Sequence, residues 1–521
     1  MKIRPARIAA TAAAFLGTIA CGTAQAQASV KVTRADADVT NVYYALSFSG
    51  SPQFRQIYID VDKRSDTGYK VLGIGADYLL ENGHLRRYTG TTGSDWSFSQ
   101  VVDVDVHYVG DATTASWYFP SSALGNPTLI DAVGAINYPS AWALPVVHER
   151  NPNAQPFAST SVWNRPIGSG ASFSTINLTG EYNSSNTWAD MPQPDEDKVV
   201  LTPSAPLTPI YYSSVGWTQG GNRCVYDTPI KTIDTLPMPA TYFVEDSPTT
   251  SKTNSSAAIL KADGRTVMQM QPFARCSTTT DASGNHYATS FDYWWQLKPV
   301  TIDLYTNDPN TQPDRLGSHG GSGMSALGGT LRVGELRPGS VGPRHALKIE
   351  VDTFWTLHSC STMADCYTWP AQTADGKATT WYGSTNPNPG SINPAMKMGA
   401  LLAIPGSVSM ASLNLQTEPA RQLFWTLQNY GAYIVDGRGG PGFTIVTEDG
   451  PNGNKLQEFK NDYQYDFHQR LNSTGAGGQW AQDVFKLMGA LQVVTNNTGS
   501  TTCSGGGSCL QPLLPELTAP H

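Results

Sequence analysis

The sequence predicts a mainly β protein: an N-terminal β-sandwich followed by a larger β-sandwich or jelly-roll-like domain with one or two helices. Three observations carry this expectation. The 521 residues include 35 Pro and 49 Gly, so the chain must turn often. Charged residues make up only 15% and hydrophobic ones 40%, which supplies a packed core and excludes a disordered chain, a coiled coil or a charged helical bundle. Runs rich in Val, Ile, Tyr, Phe and Thr recur as short segments between turn residues, the rhythm of strands. Single cores stop growing near about 250–300 residues, so two domains are expected.

Residues 1–28 read as a signal peptide. Lys2, Arg4 and Arg7 precede the apolar run Ile8 to Cys21, and Ala24-Gln25-Ala26 and Ala26-Gln27-Ala28 offer small-residue cleavage sites. Lipidation at Cys21 is disfavoured, because Thr18-Ile19-Ala20 lacks the usual leading Leu. A secreted or periplasmic protein follows. The net charge of −8 argues against nucleic acid or an anionic membrane as partner and suits a neutral substrate. Beyond Cys21 the cysteines fall in sequential pairs, Cys224 with Cys276, Cys360 with Cys366 and Cys503 with Cys509. Proximity makes these the expected disulfides in an oxidising compartment, and zinc-ligand spacings are missing.

Residues 29–148 form the first unit. Val30 to Thr33, Tyr43 to Phe48, Gln56 to Val61, Tyr78 to Glu81, Leu85 to Thr89, Trp96 to Val101, His107 to Val109, Ala115 to Phe119 and Leu129 to Asn137 read as strands at sandwich spacing. Asp60, Asp62 and Asp66 share one turn, whose oxygens suit a structural Ca²⁺; an Asx-rich turn between strands is the alternative. No other cofactor is expected. Asp60, Asp62 and Asp66-Thr67-Gly68-Tyr69, followed by Gly75 to Gly83, resemble the accessory sandwich modules of secreted bacterial enzymes. That resemblance implies a supporting module.

Residues 149–160 read as a polar linker, 161–498 as the main domain, and 499–521 as a Gly/Ser-rich, peripheral tail with a small Cys loop. Short strands are expected at Val199 to Thr202, Ile210 to Tyr212, Thr241 to Val244, Thr266 to Gln271, Ser290 to Leu297, His345 to Val351, Leu401 to Ile404, Ala432 to Val435 and Phe443 to Thr447. A helix opens at Glu418-Pro419, carries Ala420, Leu423, Phe424 and Leu427 on one face, and stops at Gly431. A second is expected over Gln479 to Leu487.

The familiar nucleophile elbow, phosphate loop, dinucleotide fingerprint and zinc-protease helix are all missing. Ser318-His319-Gly320-Gly321-Ser322-Gly323 reads as a Gly-rich turn. Alternation puts Gln269 and Gln271 on one strand face, and Asp292, Trp294 and Gln296 on another. Amides, a carboxylate and an indole are what a sugar needs, although a solvated sheet face is the plainer alternative. Glu335 stands at a loop edge, His345 opens a strand, and Tyr430 and Asp436 flank the strand Ala432 to Val435.

In order, Ser161-Val162-Trp163-Asn164-Arg165-Pro166-Ile167, Asp292-Tyr293-Trp294, Gly334-Glu335-Leu336, His345-Ala346-Leu347-Lys348 and Tyr430 to Asp436 resemble a family of secreted bacterial β-rich proteins. The resemblance spans about 161–450. It implies an architecture rather than a reaction, with Asp292, Glu335, His345 and Asp436 converging in one cleft.

The expected function is polysaccharide degradation by a glycoside hydrolase with a carboxylate pair. Asp292 and Glu335 lead, and Asp436 is in reserve. Gln269, Gln271, Trp294, Gln296, His345 and Tyr430 would bind substrate. A lyase would instead pair His345 with Tyr293 or Tyr430, and Arg332 or Arg344 with a uronate. A non-catalytic sugar-binding protein is the third reading. A monomer is expected.

Overall fold

The computed structural model describes residues 29–37, 41–62, 64, 66–125, 130–143, 146–147, 153, 155–182, 186–246, 254–291, 300–305, 313–338, 342–511, 513–514 and 517. The signal peptide expected at 1–28 lies outside them. The fold is mainly β.

The first unit is a sandwich of antiparallel sheets. One has the order Val30–Ala37, Asn41–Phe48, Thr114–Pro120, His107–Gly110. The other is built around Arg55–Asp60, between Asp131–Ile136 and Tyr78–Glu81. Strict alternation turns Val42, Tyr44, Leu46 and Phe48, with Ala115, Trp117 and Phe119, inward onto Ile57, Ile59, Leu80 and Ala132. Among the described residues, no buried residue of this core belongs to the cores of the second unit.

An eleven-stranded sheet dominates the second unit. Its centre runs Ala432–Arg438, Leu347–Asp352, Gly442–Gly450, Asp190–Val200, Ala257–Leu260, Thr266–Met270. Leu347–Asp352 is parallel to Ala432–Arg438, and Asp190–Val200 is parallel to both Gly442–Gly450 and Ala257–Leu260. This mixed pairing departs from a jelly roll, whose strands are antiparallel. Parallel neighbours need crossovers, and helices and long loops supply them. Helices Glu418–Asn429 and Gly475–Ala490 stand where the sequence expects them, and Lys455–Tyr463 is a third. They pack Leu423, Phe424, Leu427, Phe459, Trp480 and Leu487 into the main core.

Alternation also divides the second unit's interior. Ala258 and Leu260 face the main core, while Ala257 and Ile259 face a second core. That second core is closed by a four-stranded sheet of Thr232–Pro237, Leu207–Tyr212, Ala288–Ser290 and Phe273–Ala274. The three expected disulfides are present. Among the described residues, no helix is long and apolar enough to cross a membrane.

The segment read as a linker and the tail expected at the periphery are both tied in. Phe157, from the linker, is fully buried in the main core. The tail pairs with Ile167 and Gly168 through Ser504 and Cys509, and the Ser504 N–H donates to the Pro166 carbonyl at 2.9 Å.

Candidate functional site

The site grows from polar residues placed at alternate positions on central strands. Asp195 and Asp197 belong to Asp190–Val200, and Lys348 and Glu350 to Leu347–Asp352, with Gly442–Gly450 between the two strands. His319 ends the strand Leu316–His319, and its Nδ1 lies 2.8 Å from Asp197 Oδ1. The other oxygen of Asp197 accepts from Thr330 Oγ1 at 2.7 Å and from Lys348 Nζ. Lys348 also donates to the Ser325 carbonyl at 2.7 Å. Asp197, His319, Thr330 and Lys348 are all fully buried. Burial pushes the Asp197 carboxyl up, but Lys348 and His319 outweigh it and hold it below its ordinary value.

The chain after His319 turns through Gly320 and Gly321. Gly320 has φ +55°, and a Cβ there would overlap the Asp436 carboxyl; a Cβ on Gly321 would meet Asp375 Oδ1 at 2.7 Å. Only glycines let the backbone approach both acids. Asp436 Oδ1 accepts from the Gly321 and Gly437 N–H groups at 2.9 and 2.8 Å, and Oδ2 accepts from Asn254 Nδ2. Burial nevertheless raises its pKa.

Asp375 and Asp436 both lie against this turn, close enough for the Asp436 charge to act on Asp375. Tyr382 donates its hydroxyl to Asp375 Oδ2 at 2.7 Å. Burial first, and the Asp436 charge second, push the Asp375 carboxyl up to about 7. Burial also raises Glu350 well above the usual carboxylate range, helped by Asp195 and Asp436.

Asp195, Glu350, Asp375 and Asp436 open into one cleft of about 750 Å³. Trp217, Trp381 and Phe291 face it, and Gln193, Asn254 and Gln271 add amides. Such a cleft can hold a proton near neutral pH beside flat apolar surfaces and hydroxyl-binding amides. In comparisons with known proteins, no family model and no curated protein matches this chain.

Of the residues singled out in the sequence, Asp436 and Gln271 line this cleft. Asp292, Trp294 and Gln296 lie outside the described residues. Glu335 and His345 meet each other instead, with His345 Nε2 3.0 Å from Glu335 Oε2, in a buried pair away from the cleft lining. Arg332, beside them, is held by Glu448 at 2.8 Å. Gln269 is spent on backbone: its Nε2 donates to Leu316 O at 2.9 Å, and its Oε1 accepts from Ala326 N at 2.6 Å. Tyr430 is a buried core residue at the end of Glu418–Asn429. In the first unit, Asp60 and Asp62 gather with Asp77, their oxygens within 4.8 Å of one another. Asp66 instead pairs with Arg64 at 3.0 Å in solvent.

The motif from Ser161 to Ile167 is structural. Trp163 Nε1 donates to the Asp314 carbonyl at 3.0 Å, and Gly328 and Gly329 leave room for its ring. The residues missed in the sequence are Asp195, Asp375, Glu350, His319, Trp217 and Trp381. A signal existed for some of them. Lys348, Glu350 and Asp352 alternate with apolar residues on a strand, and His319 precedes two glycines. Asp375 and the two tryptophans stand on irregular segments or one short helix and carry no pattern.

Proposed function

We propose that this chain is a secreted polysaccharide-degrading enzyme, a glycoside hydrolase whose acid is the Asp375–Asp436 pair. The observation that carries the reading is this pair itself: two carboxyls held against the same Gly320-Gly321 turn, in a cleft faced by Trp217, Trp381 and Phe291. Like charges so close cannot both ionise cheaply, so one proton is retained near neutral pH. In the proposed reaction the retained proton passes to the glycosidic oxygen as the C–O bond breaks; a water then bonds through its oxygen to the sugar carbon and returns one proton to the pair, which restores the acid. Tryptophans stack on ring C–H faces, and Gln193, Asn254 and Gln271 bind hydroxyls.

The sugar is proposed to be neutral. Four acids line the cleft and, among the described residues, no Lys or Arg does, so a uronate polymer would be repelled. The same charge disfavours the lyase reading, and its candidate Arg332 is already paired with Glu448. A binding protein would have no use for a proton held in the site.

The test is product analysis by mass spectrometry on a panel of neutral and uronic polysaccharides. Wild type runs beside Asp375→Asn and Asp436→Asn. Saturated oligosaccharides that fall by about 10²–10⁴ in rate in Asp375→Asn are the expected result. Unsaturated products would replace hydrolysis by elimination. Binding without products would overturn the enzymatic reading.

A further inference from the structure

A second group of atoms in the cleft has a different character. His319 is fully buried, and among the described residues its Nε2 has no hydrogen-bond partner. That nitrogen lies 3.9 Å from Asp195 Oδ2 and 3.9 Å from Glu350 Oε1, too far for hydrogen bonds. One ligand atom from each of the three side chains falls within 4.8 Å of the others. An orphaned buried imidazole nitrogen is costly unless something else occupies its lone pair.

The tautomer is set from the other side of the ring. Asp197 is a carboxylate accepting from Lys348, Thr330 and His319. The Nδ1 position of His319 therefore carries the proton, and Nε2 presents a lone pair to Asp195 and Glu350. A carboxylate behind a histidine whose far nitrogen faces two more carboxylates is the arrangement that orients imidazole onto a metal.

We propose that Asp195, His319 and Glu350 form a binding site for one divalent transition-metal cation of the Zn²⁺ or Mn²⁺ class. The separations suit three ligands around an ion at a little over about 2 Å, the usual distance for imidazole nitrogen and carboxylate oxygen. One nitrogen and two carboxylate oxygens match borderline cations better than a soft all-sulfur or a hard all-oxygen set. Asp195 and Glu350 both line the cleft, so an ion has a path in and its remaining positions face the substrate space. Bound there, it neutralises the two crowded carboxylates and leaves the Asp375–Asp436 pair as the proton store. The inference stands apart from the sugar reading, because it concerns only what these three side chains bind.

The experiment strips the full-length chain with a chelator and titrates it with Zn²⁺, then separately with Mn²⁺, by isothermal calorimetry. His319→Gln, Asp195→Asn and Asp62→Asn run beside wild type. Asp62→Asn disables the acid group of the first unit and reports binding there. One equivalent bound by wild type and by Asp62→Asn is expected, with affinity at least about 100-fold weaker in His319→Gln and Asp195→Asn. The Asp195 carboxylate is partly exposed and accepts from the N–H of its neighbour Glu196 at 3.1 Å, so Asp195→Asn keeps the test valid if His319→Gln fails to fold. Absence of binding by either ion at millimolar concentration would overturn the proposal. So would unchanged binding in Asp195→Asn, or binding lost only in Asp62→Asn. None of these outcomes depends on finding a substrate.

Discussion

Asp197→Asn tests the buried network beneath the cleft. Asp197 accepts from three donors, Lys348 Nζ, Thr330 Oγ1 and His319 Nδ1, and both it and Lys348 are fully buried. An asparagine offers one oxygen and one NH₂ in the same volume. If its oxygen serves His319, its NH₂ faces the Lys348 ammonium. Lys348 is then a buried charge with only the Ser325 carbonyl as acceptor. Breaking a buried pair by removing one partner costs about 3–5 kcal/mol. In urea, with a slope of about 3 kcal/mol/M, the midpoint of the second unit should fall by roughly 1 M. Each unit has its own core, so the transition of the first should stay in place and serve as an internal reference. Tryptophan fluorescence follows both. The double variant Asp197→Asn/Lys348→Met removes the stranded charge and lets the new NH₂ donate to the Thr330 hydroxyl, so most of the loss should return. A loss below about 1 kcal/mol in the single variant, or a double variant weaker than the single, would refute the reasoning.

Three further outcomes follow from the same geometry. Trp217→Ala and Trp381→Ala should each raise KM about tenfold on the active polysaccharide, roughly 1.4 kcal/mol of lost stacking, with kcat within a few-fold; steady-state kinetics reads the split. Gly320→Ala places a Cβ against Asp436 at a left-handed φ of +55°, so it should lose about 1–3 kcal/mol in urea unfolding and lose activity with it. Glu335 and His345 stabilise within a pH window. Burial raises Glu335, but His345 overcomes it and the pKa falls; burial lowers His345, but Glu335 overcomes it and the pKa rises. The Glu335 contribution is therefore present above its ordinary value of 4.5 and lost as pH falls through the lowered one. The His345 contribution is present below 6.5 and lost as pH rises through the raised one. Denaturation of His345→Gln across pH should show that alkaline decline removed.

Local patterns in the chain settled much of the fold. Asn41–Phe48 alternates buried and half-buried positions because a strand's side chains alternate, so its inward residues can be read directly. Helix Glu418–Asn429 was legible from its apolar stripe, its early Pro and the glycine beyond it, and Gly431 indeed stands at φ +78°. The disulfide pairs were legible because their spacing is local or the intervening segment closes on itself. Lys455–Tyr463 was harder to see, since it buries only Lys455 and Phe459 and so carries a weak stripe.

The tertiary structure alone decided which polar residues meet. Glu335 and Glu350 are both buried carboxylates within one stretch of chain, yet one pairs with His345 and the other opens into the cleft. The difference lies in the sheet order, which lays Asp190–Val200 and Ala432–Arg438 near Leu347–Asp352 from more than 80 residues away in either direction. Parallel pairing of this kind depends on distant segments rather than on a local turn, so no window of sequence encodes it. Asp436 was visible because an apolar run of sequence ends at it, before a glycine. Its neighbour Asp375 comes from an irregular loop, and only the packing of that loop against Gly321 and Tyr382 brings the two carboxyls to one turn.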